Sequence, residues 1–344
     1  MRIKGWINTV KQNFRIAEFS PLTAAIKSRI NTGGKNVLAK RHDIVENVVM
    51  NWTDKLITLY CAICANHSTI ESEAQRFSNN SRPKFTDEEC LTVYLWGISR
   101  SMYQQKAIWQ YTKDHLLEWF PDLPSYQAFN HRLNFLAPVL RSLSETWLEK
   151  ISAVTNKEGS YAVDSCPIML AARSRASHAK VAPEACSKSY NATRKEWYYG
   201  VKLHAFVARH TGKLATPCAL VVSTAADHDL PVAQQIMDTC HPFHRGILWA
   251  DKAYCDAAWK KELADKYSII LRTPRKKRKD DTLYSGDAYS TWVGTLRQPI
   301  EGFFSWLNAK TEIQSGSKIR SSSGLLTHIF GRLAVALYLT LSNP

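Results

Sequence analysis

The most constraining feature of the chain is a short apolar run, Gly246-Ile247-Leu248-Trp249-Ala250, that ends abruptly on Asp251. Lys252 and Tyr254 follow directly, and a helical pattern then runs from about Cys255 to Tyr267. This places Asp251 at the C-terminal edge of a buried strand, where open sheets flanked by helices bind ligands. An N-cap on the following helix is the other reading of the same acid. Tyr161-Ala162-Val163-Asp164 repeats the design, an apolar run closing on an acid, with Pro167 expected to stop regular pairing soon after. Between the two runs, Trp197 to Arg209 alternates as a strand. His210-Thr211-Gly212-Lys213 turns into a third strand, Leu214 to Ser223, where Pro217 calls for an edge position or a bulge. A helix from Pro231 to about Thr239 and a last strand, Ser268 to Thr273, complete the order: three strands, helix, strand, helix, strand.

The first half of the chain reads differently. Residues 1–42 form a basic segment broken by Asn31-Thr32-Gly33-Gly34, read as a mobile tail or as an arm lying on DNA. From about Asp43 to Asn66 apolar residues recur at three- and four-residue steps, and Ser72 to Lys84 is a polar loop or linker. Thr86 and Glu89 form a capping box opening a helix. A second capped helix follows Pro121 and Pro124 from Ser125 and carries His131, Arg132 and Arg141. A helix-turn-helix-like DNA module and an ordinary helical hairpin both fit residues 43–150. Cys61, Cys64 and His67, like Cys240, His241, His244 and Cys255, lack convincing ligand spacing and read as packing residues.

Composition narrows the partners. Lys and Arg number 45 against 30 Asp and Glu, a formal net charge of +15, which points to a polyanionic partner, nucleic acid or an anionic membrane surface, without choosing between them. The apolar tract Leu325 to Leu341 is interrupted by His328 and Arg332 and fits a buried terminal helix better than a membrane span. No secretory signal is visible, and the eight cysteines read as reduced, so the expected location is the cytoplasm.

Two carboxylates at adjacent strand ends repel each other unless cations neutralise them. Magnesium or manganese does this with oxygen ligands, and a pair of such ions can clamp both oxygens of a phosphoryl transfer. Glu301 is the candidate third acid. Ile300, Phe303, Phe304 and Leu307 follow helical spacing, with Arg297 and Glu301 at i, i+4 on a neighbouring polar edge. Pro299 predicts that this helix starts just before it. A surface Arg-Glu pair is the other reading.

Taken together, the three acids and their settings resemble the DDE transposases of bacterial insertion sequences. The matching segments are Tyr161 to Ser165, Trp197 to His204, Ala226 to Asp229, Ala250 to Tyr254, Arg297 to Glu301 and Ser321 to Leu326. The resemblance implies a ribonuclease-H-like α/β fold over 155–344, a mixed sheet flanked by helices and preceded by the α-helical region. It implies that Asp164, Asp251 and Glu301 bind two magnesium ions, with manganese as substitute, and that Arg297 holds a DNA phosphate. Lys252, Lys202 and His204 within the matching segments, Arg132 in the helical region, and the run Arg275, Lys276, Lys277, Arg278 and Lys279 are further candidate DNA contacts. The implied activity is cleavage at transposon ends and joining of the 3′-hydroxyl to target DNA. The implied assembly is a homodimer or larger on DNA, at the nucleoid. The chain departs from many relatives at Gly294 and Asn308, where a Tyr and a Lys are usual, and at Ala253, where a Gly is usual. The alternatives are an inactivated or repurposed DNA-binding protein and a nuclease without strand transfer.

Overall fold

The computed structural model describes residues 51–75, 83–155, 159–275 and 287–342. The basic segment 1–42 and the cations Lys276, Lys277, Arg278 and Lys279 lie outside the described residues. The described chain begins with a helical layer: α1 (Trp52–Cys64), α2 (His67–Glu73), α3 (Asp87–Ser99), α4 (Gln105–His115), α5 (Tyr126–Phe135) and α6 (Ala137–Val154). The capping box is formed, with Thr86 N donating to Glu89 Oε2 (2.7 Å) and Glu89 N to Thr86 Oγ1 (3.3 Å). From Glu88 to Ile98, α3 is buried on every side, so it is the axis of this layer. Two expectations are corrected here. Helix α4 stands between the two capped helices, and Arg141 lies on α6 rather than on the helix begun by Ser125.

Then come β1 (Ser160–Ala172), β2 (Ser187–Asn191), β3 (Glu196–Ala208), β4 (Thr216–Thr224), α7 (Asp229–Cys240), β5 (Gly246–Trp249), α8 (Ala257–Tyr267), β6 (Ile269–Arg272), α9 (Ala288–Thr311) and α10 (Ser322–Ser342). The sheet order is β2-β3-β1-β5-β6, and β4 continues the β2 edge along the other half of β3. Strands β1, β5 and β6 are mutually parallel, whereas β3 runs antiparallel to β1, β2 and β4. This is the mixed, helix-flanked sheet of a ribonuclease-H-like fold.

Two strand and helix limits differ from the sequence expectation. Strand β1 does not stop at Pro167 but pairs through it, Pro167 opposite Lys202, as far as Ala172. Its pairing with β5 ends at Ala162, so Pro167 sits where β3 alone flanks the strand, an edge setting that tolerates a missing N–H. Helix α9 begins eleven residues before Pro299, which therefore lies inside it. An interior proline costs about 3 kcal/mol. Here Val293 is buried and Trp292 packs edge-on against Trp249 (5.1 Å), holding the preceding turns in place. Pro217 lies opposite Val207 at a register shift on an edge strand, as its ring requires.

The C-terminal helix joins the layers. By length and composition α10 could cross a membrane, but 61% of its apolar window is buried inside the protein. Leu325, Ile329 and Leu333 pack under the sheet, whereas Ala334, Val335 and Leu337 belong to the core of the helical layer. Gly331 makes the crossing possible, since a Cβ there would stand 2.4 Å from a Tyr94 ring carbon.

Candidate active site

Register places the first two acids. Ala162 pairs with Trp249, after which β1 and β5 part, so Asp164 and Asp251 each lie two residues beyond the last pair. Side chains two apart share a face. Asp164 and Asp251 therefore follow Ala162 and Trp249 on the side covered by Ile300, Phe303 and Leu307 of α9. The third acid, Glu301, is carried on that helix beside the buried Ile300.

Arg297 ties the group together. Its Nη1 donates to Asp164 Oδ2 (2.6 Å) and its Nη2 to Glu301 Oε1 (2.5 Å). Asp164 Oδ1 also accepts from Ser165 N (2.8 Å). Asp164 is raised to about 6: burial is the largest cause, opposed by Arg297 and the Ser165 N–H, with the negative charges of Asp251 and Asp229 adding to the rise. One guanidinium thus leaves the crevice short of positive charge. Tyr254 lies fully buried among these acids, its hydroxyl meeting no hydrogen-bond partner among the described residues and its pKa pushed up by burial and then by Asp164, Asp229 and Asp251.

Asp251 does act as a cap, but on the 3-10 turn Lys252–Tyr254, where its Oδ1 accepts from Ala253 N (2.7 Å). Helix α8 has its own cap, Asp256. Of the candidate DNA contacts, Lys252 is exposed on this turn. Arg275 is exposed at the end of the described residues before the basic run, and its Nε lies 3.5 Å from Asp287 Oδ2.

The other candidates are placed elsewhere. Lys202 and His204 lie on the opposite face of β3. Lys202 Nζ donates to the Asp227 carbonyl (2.8 Å) and to Asp229 Oδ1 (3.1 Å). His204 is 1% exposed and its Nε2 meets Ser223 Oγ at 2.9 Å. Burial first, then Lys202, lowers its pKa to about 4, although Asp229 and Asp227 oppose this. Arg132 faces into the helical layer, forked onto Asp87 (2.7 and 2.5 Å) and the Ala74 carbonyl (2.9 Å). Asn308 accepts from Gln314 N (3.2 Å) and lines an open groove of about 460 Å³ that starts at Glu301.

Asp229 has no place among the expected site residues, and its helix is expected to begin only at Pro231. It opens α7 two residues earlier and accepts from Ser165 Oγ (3.0 Å) as well as Lys202. The available signal was Asp227-His228-Asp229, two acids at the mouth of a helix.

Among the described residues, no group of three or more His, Cys, Asp or Glu side chains is arranged to hold a metal ion. That includes both cysteine-histidine groups. In the crevice, Arg297 stands between Asp164 and Glu301 as the bridging cation. The donor set nevertheless suits a hard divalent ion: carboxylate oxygens only, already drawn to one positive charge.

Comparison with known proteins gives three findings. A family model described as the transposase DDE domain matches residues 172–337, which takes in Asp251, Arg297 and Glu301 and begins beyond Asp164. Curated relatives from strains of Vibrio cholerae serotype O1, named "Probable protein kinase UbiB", are 29% identical over 93 residues, 26% of this chain and 16% of theirs. The chain thus spans a small part of those relatives. No solved structure matches the chain.

Proposed function

We propose, from the premise that the chain belongs to the DDE transposases of insertion sequences, that it cuts phosphodiester bonds at the ends of its own element and joins the freed 3′-hydroxyl to target DNA. The observation that carries this reading is the meeting of Asp164 and Asp251 at the parting of β1 and β5, with Arg297 linking Asp164 to Glu301. Members of this family use divalent metal ions. In this chain Asp164, Asp251 and Glu301 are the residues that would hold them, as two magnesium ions with manganese as substitute. Bound there, the metal supplies Lewis-acid polarisation of the phosphate and an activated water or 3′-hydroxyl.

The chain's own residues prepare that chemistry. The Ser165 N–H and the turn Lys252–Tyr254 fix one oxygen each of Asp164 and Asp251, so neither carboxylate is free to turn about its bond. Arg297, released from the two carboxylates, is a fork of donors suited to a phosphate. Lys252 and Arg275 put positive charge at the rim, and the groove beside Glu301 leads along α9. No covalent protein-DNA intermediate is required.

Two DNA ends have to meet for joining, so a homodimer or larger assembly on DNA is part of the proposal, as is a nucleoid location. Residues 43–150, whose described part forms the helical layer, are proposed to assist in DNA binding, and residues 155–344 to form the catalytic domain. The test is incubation with magnesium and a duplex carrying the inverted repeats that flank the gene. Wild type should release 3′-hydroxyl ends and join them to a second duplex. Glu301→Gln should bind that duplex and leave it intact. Equal inertness of both proteins would favour a repurposed DNA-binding protein, and cutting without joining would favour a nuclease.

A further inference from the structure

The hairpin of β2 and β3 carries two large rings that serve no core. Tyr190 and Trp197 face each other across the strands, ring centroids 5.5 Å apart, and are 49% and 51% exposed. Neither joins any of the three hydrophobic clusters. Trp292, equally exposed, instead packs edge-on against the buried Trp249. A cross-strand aromatic pair does stabilise a hairpin. That role alone does not account for the charges gathered around it.

Lys188 Nζ lies 4.9 Å from the Trp197 ring centre. Arg194 and Lys195 are exposed in the connecting turn, and Arg173 Nε reaches Glu196 Oε2 at 3.0 Å. Four cations thus lie on or against the hairpin, with Glu196 paired to one of them. The turn is shaped to present them. Arg194 N donates to Asn191 Oδ1 (3.1 Å), and Lys195 takes the left-handed conformation at φ 51, uncommon for a residue with a Cβ. Gly200 lets the hairpin press onto β1, because a Cβ there would stand 2.1 Å from the Ile168 carbonyl oxygen.

Position relative to the acids follows from register. Asp164 pairs with Ala205, and Trp197 lies eight residues back along β3 on the same face. Eight strand residues span about 26 Å. The rings therefore stand on the acids' side of the sheet, some way along any DNA that leaves the crevice in the β1 direction.

We propose that Trp197 and Tyr190 form a stacking site for unpaired DNA bases, with Lys188, Arg194 and Lys195 on the adjoining phosphates. Bases inside a duplex are already stacked and offer no open face, whereas an unpaired base does. Cations interleaved with exposed rings supply the rest of that recognition, a cation–π partner giving way to a phosphate. The site goes beyond the catalytic reading, because it needs neither metal nor chemistry.

The experiment uses the full chain in chelator, so that it stands whether or not the protein cleaves DNA. Fluorescence anisotropy would compare a blunt duplex with the same duplex extended by a single-stranded oligothymidine. Wild type should bind the extended DNA about tenfold more tightly, the order of one or two stacked bases. Trp197→Ala and Tyr190→Ala should abolish that preference with little change on the blunt duplex, and Trp197→Phe should keep most of it. Lys195→Asn, which preserves the left-handed turn while removing a charge, should lower the salt dependence on the extended DNA. A wild type without preference for the extension overturns the proposal, as does a folded Trp197→Ala that retains it in full.

Discussion

Two arginines in this molecule sit in opposite electrostatic situations. Arg332, on α10, is 4% exposed and pairs with no carboxylate among the described residues, yet each of its three nitrogens donates a hydrogen bond. Its Nε donates to His328 Nδ1 (3.0 Å), Nη1 to the Thr311 carbonyl (2.5 Å) and Nη2 to the Tyr103 carbonyl (3.1 Å). His328 passes the network on through Nε2 to the Ile313 carbonyl (2.8 Å). Arg297 has two carboxylates, but two further acids and a buried hydroxyl that meets no partner among the described residues stand around them. The first network is closed and joins the helical layer to the end of α9. The second is an excess of acid, four carboxylates against Arg297 and the Lys202 that pairs with Asp229, which is what a site that takes up another cation needs.

The largest effect separating the two is on stability. Arg332→Met should cost about 3 kcal/mol in urea unfolding, because it strands buried and half-buried acceptors. Arg297→Met should cost less in chelator, because Glu301 is exposed and Asp164, already raised to about 6, can neutralise itself by taking up a proton. A reversed order would break the comparison.

Next in size is pH, where the two regions should pull in opposite directions. Asp164 is raised to about 6, so the metal-free folded state holds a proton there that the unfolded chain has lost. Its contribution is fully present below about pH 4 and is lost as pH rises through about 6, an effect on the order of 1–3 kcal/mol. His328 is lowered to about 3 by burial first and by Arg332 next, so the unfolded state binds its proton first. Stability from that source is present above about pH 6.5 and falls on acidification. Asp164→Asn in chelator should therefore steepen the loss of stability between pH 6 and 4, and His328→Gln should flatten it. Identical profiles for all three proteins would remove the distinction.

The smallest effect concerns DNA. Lys252→Ala and Arg275→Ala should each reduce the salt slope of duplex binding by about 1, whereas Arg132→Ala, whose charge is spent on Asp87, should leave the slope unchanged and cost stability instead.

These contrasts also mark what was legible in the sequence. Runs with a local signature were readable: the acid-ended apolar runs, the Thr86 capping box, the Pro217 bulge, and the apolar stripe of Ile300, Phe303, Phe304 and Leu307, all of which are buried. The local company of the site was readable to the same extent, since a strand followed by an acid is a pattern within a few residues. What escaped depends on distant partners. Strand β1 continues past Pro167 because β5 has already left it. Helix α9 extends before Pro299 because Trp292 meets Trp249. Arg132 is claimed by Asp87, 45 residues away, and Arg297 by Asp164, 133 residues away. Arg132 reads as a surface cation because nothing near it in the chain announces an acid partner, and Arg297 reads as the partner of Glu301, four residues on, with no local sign of Asp164.

The central claim is that the crevice at Asp164, Asp251 and Glu301 is completed by a divalent cation, and manganese titration followed by electron paramagnetic resonance tests it most directly. Wild type should bind manganese saturably. Asp251→Asn should weaken that binding by about a hundredfold or more, the scale of changes that disturb a metal's surroundings. Arg297→Ala should strengthen it by removing the competing cation. Unchanged manganese affinity in Asp251→Asn would contradict the account.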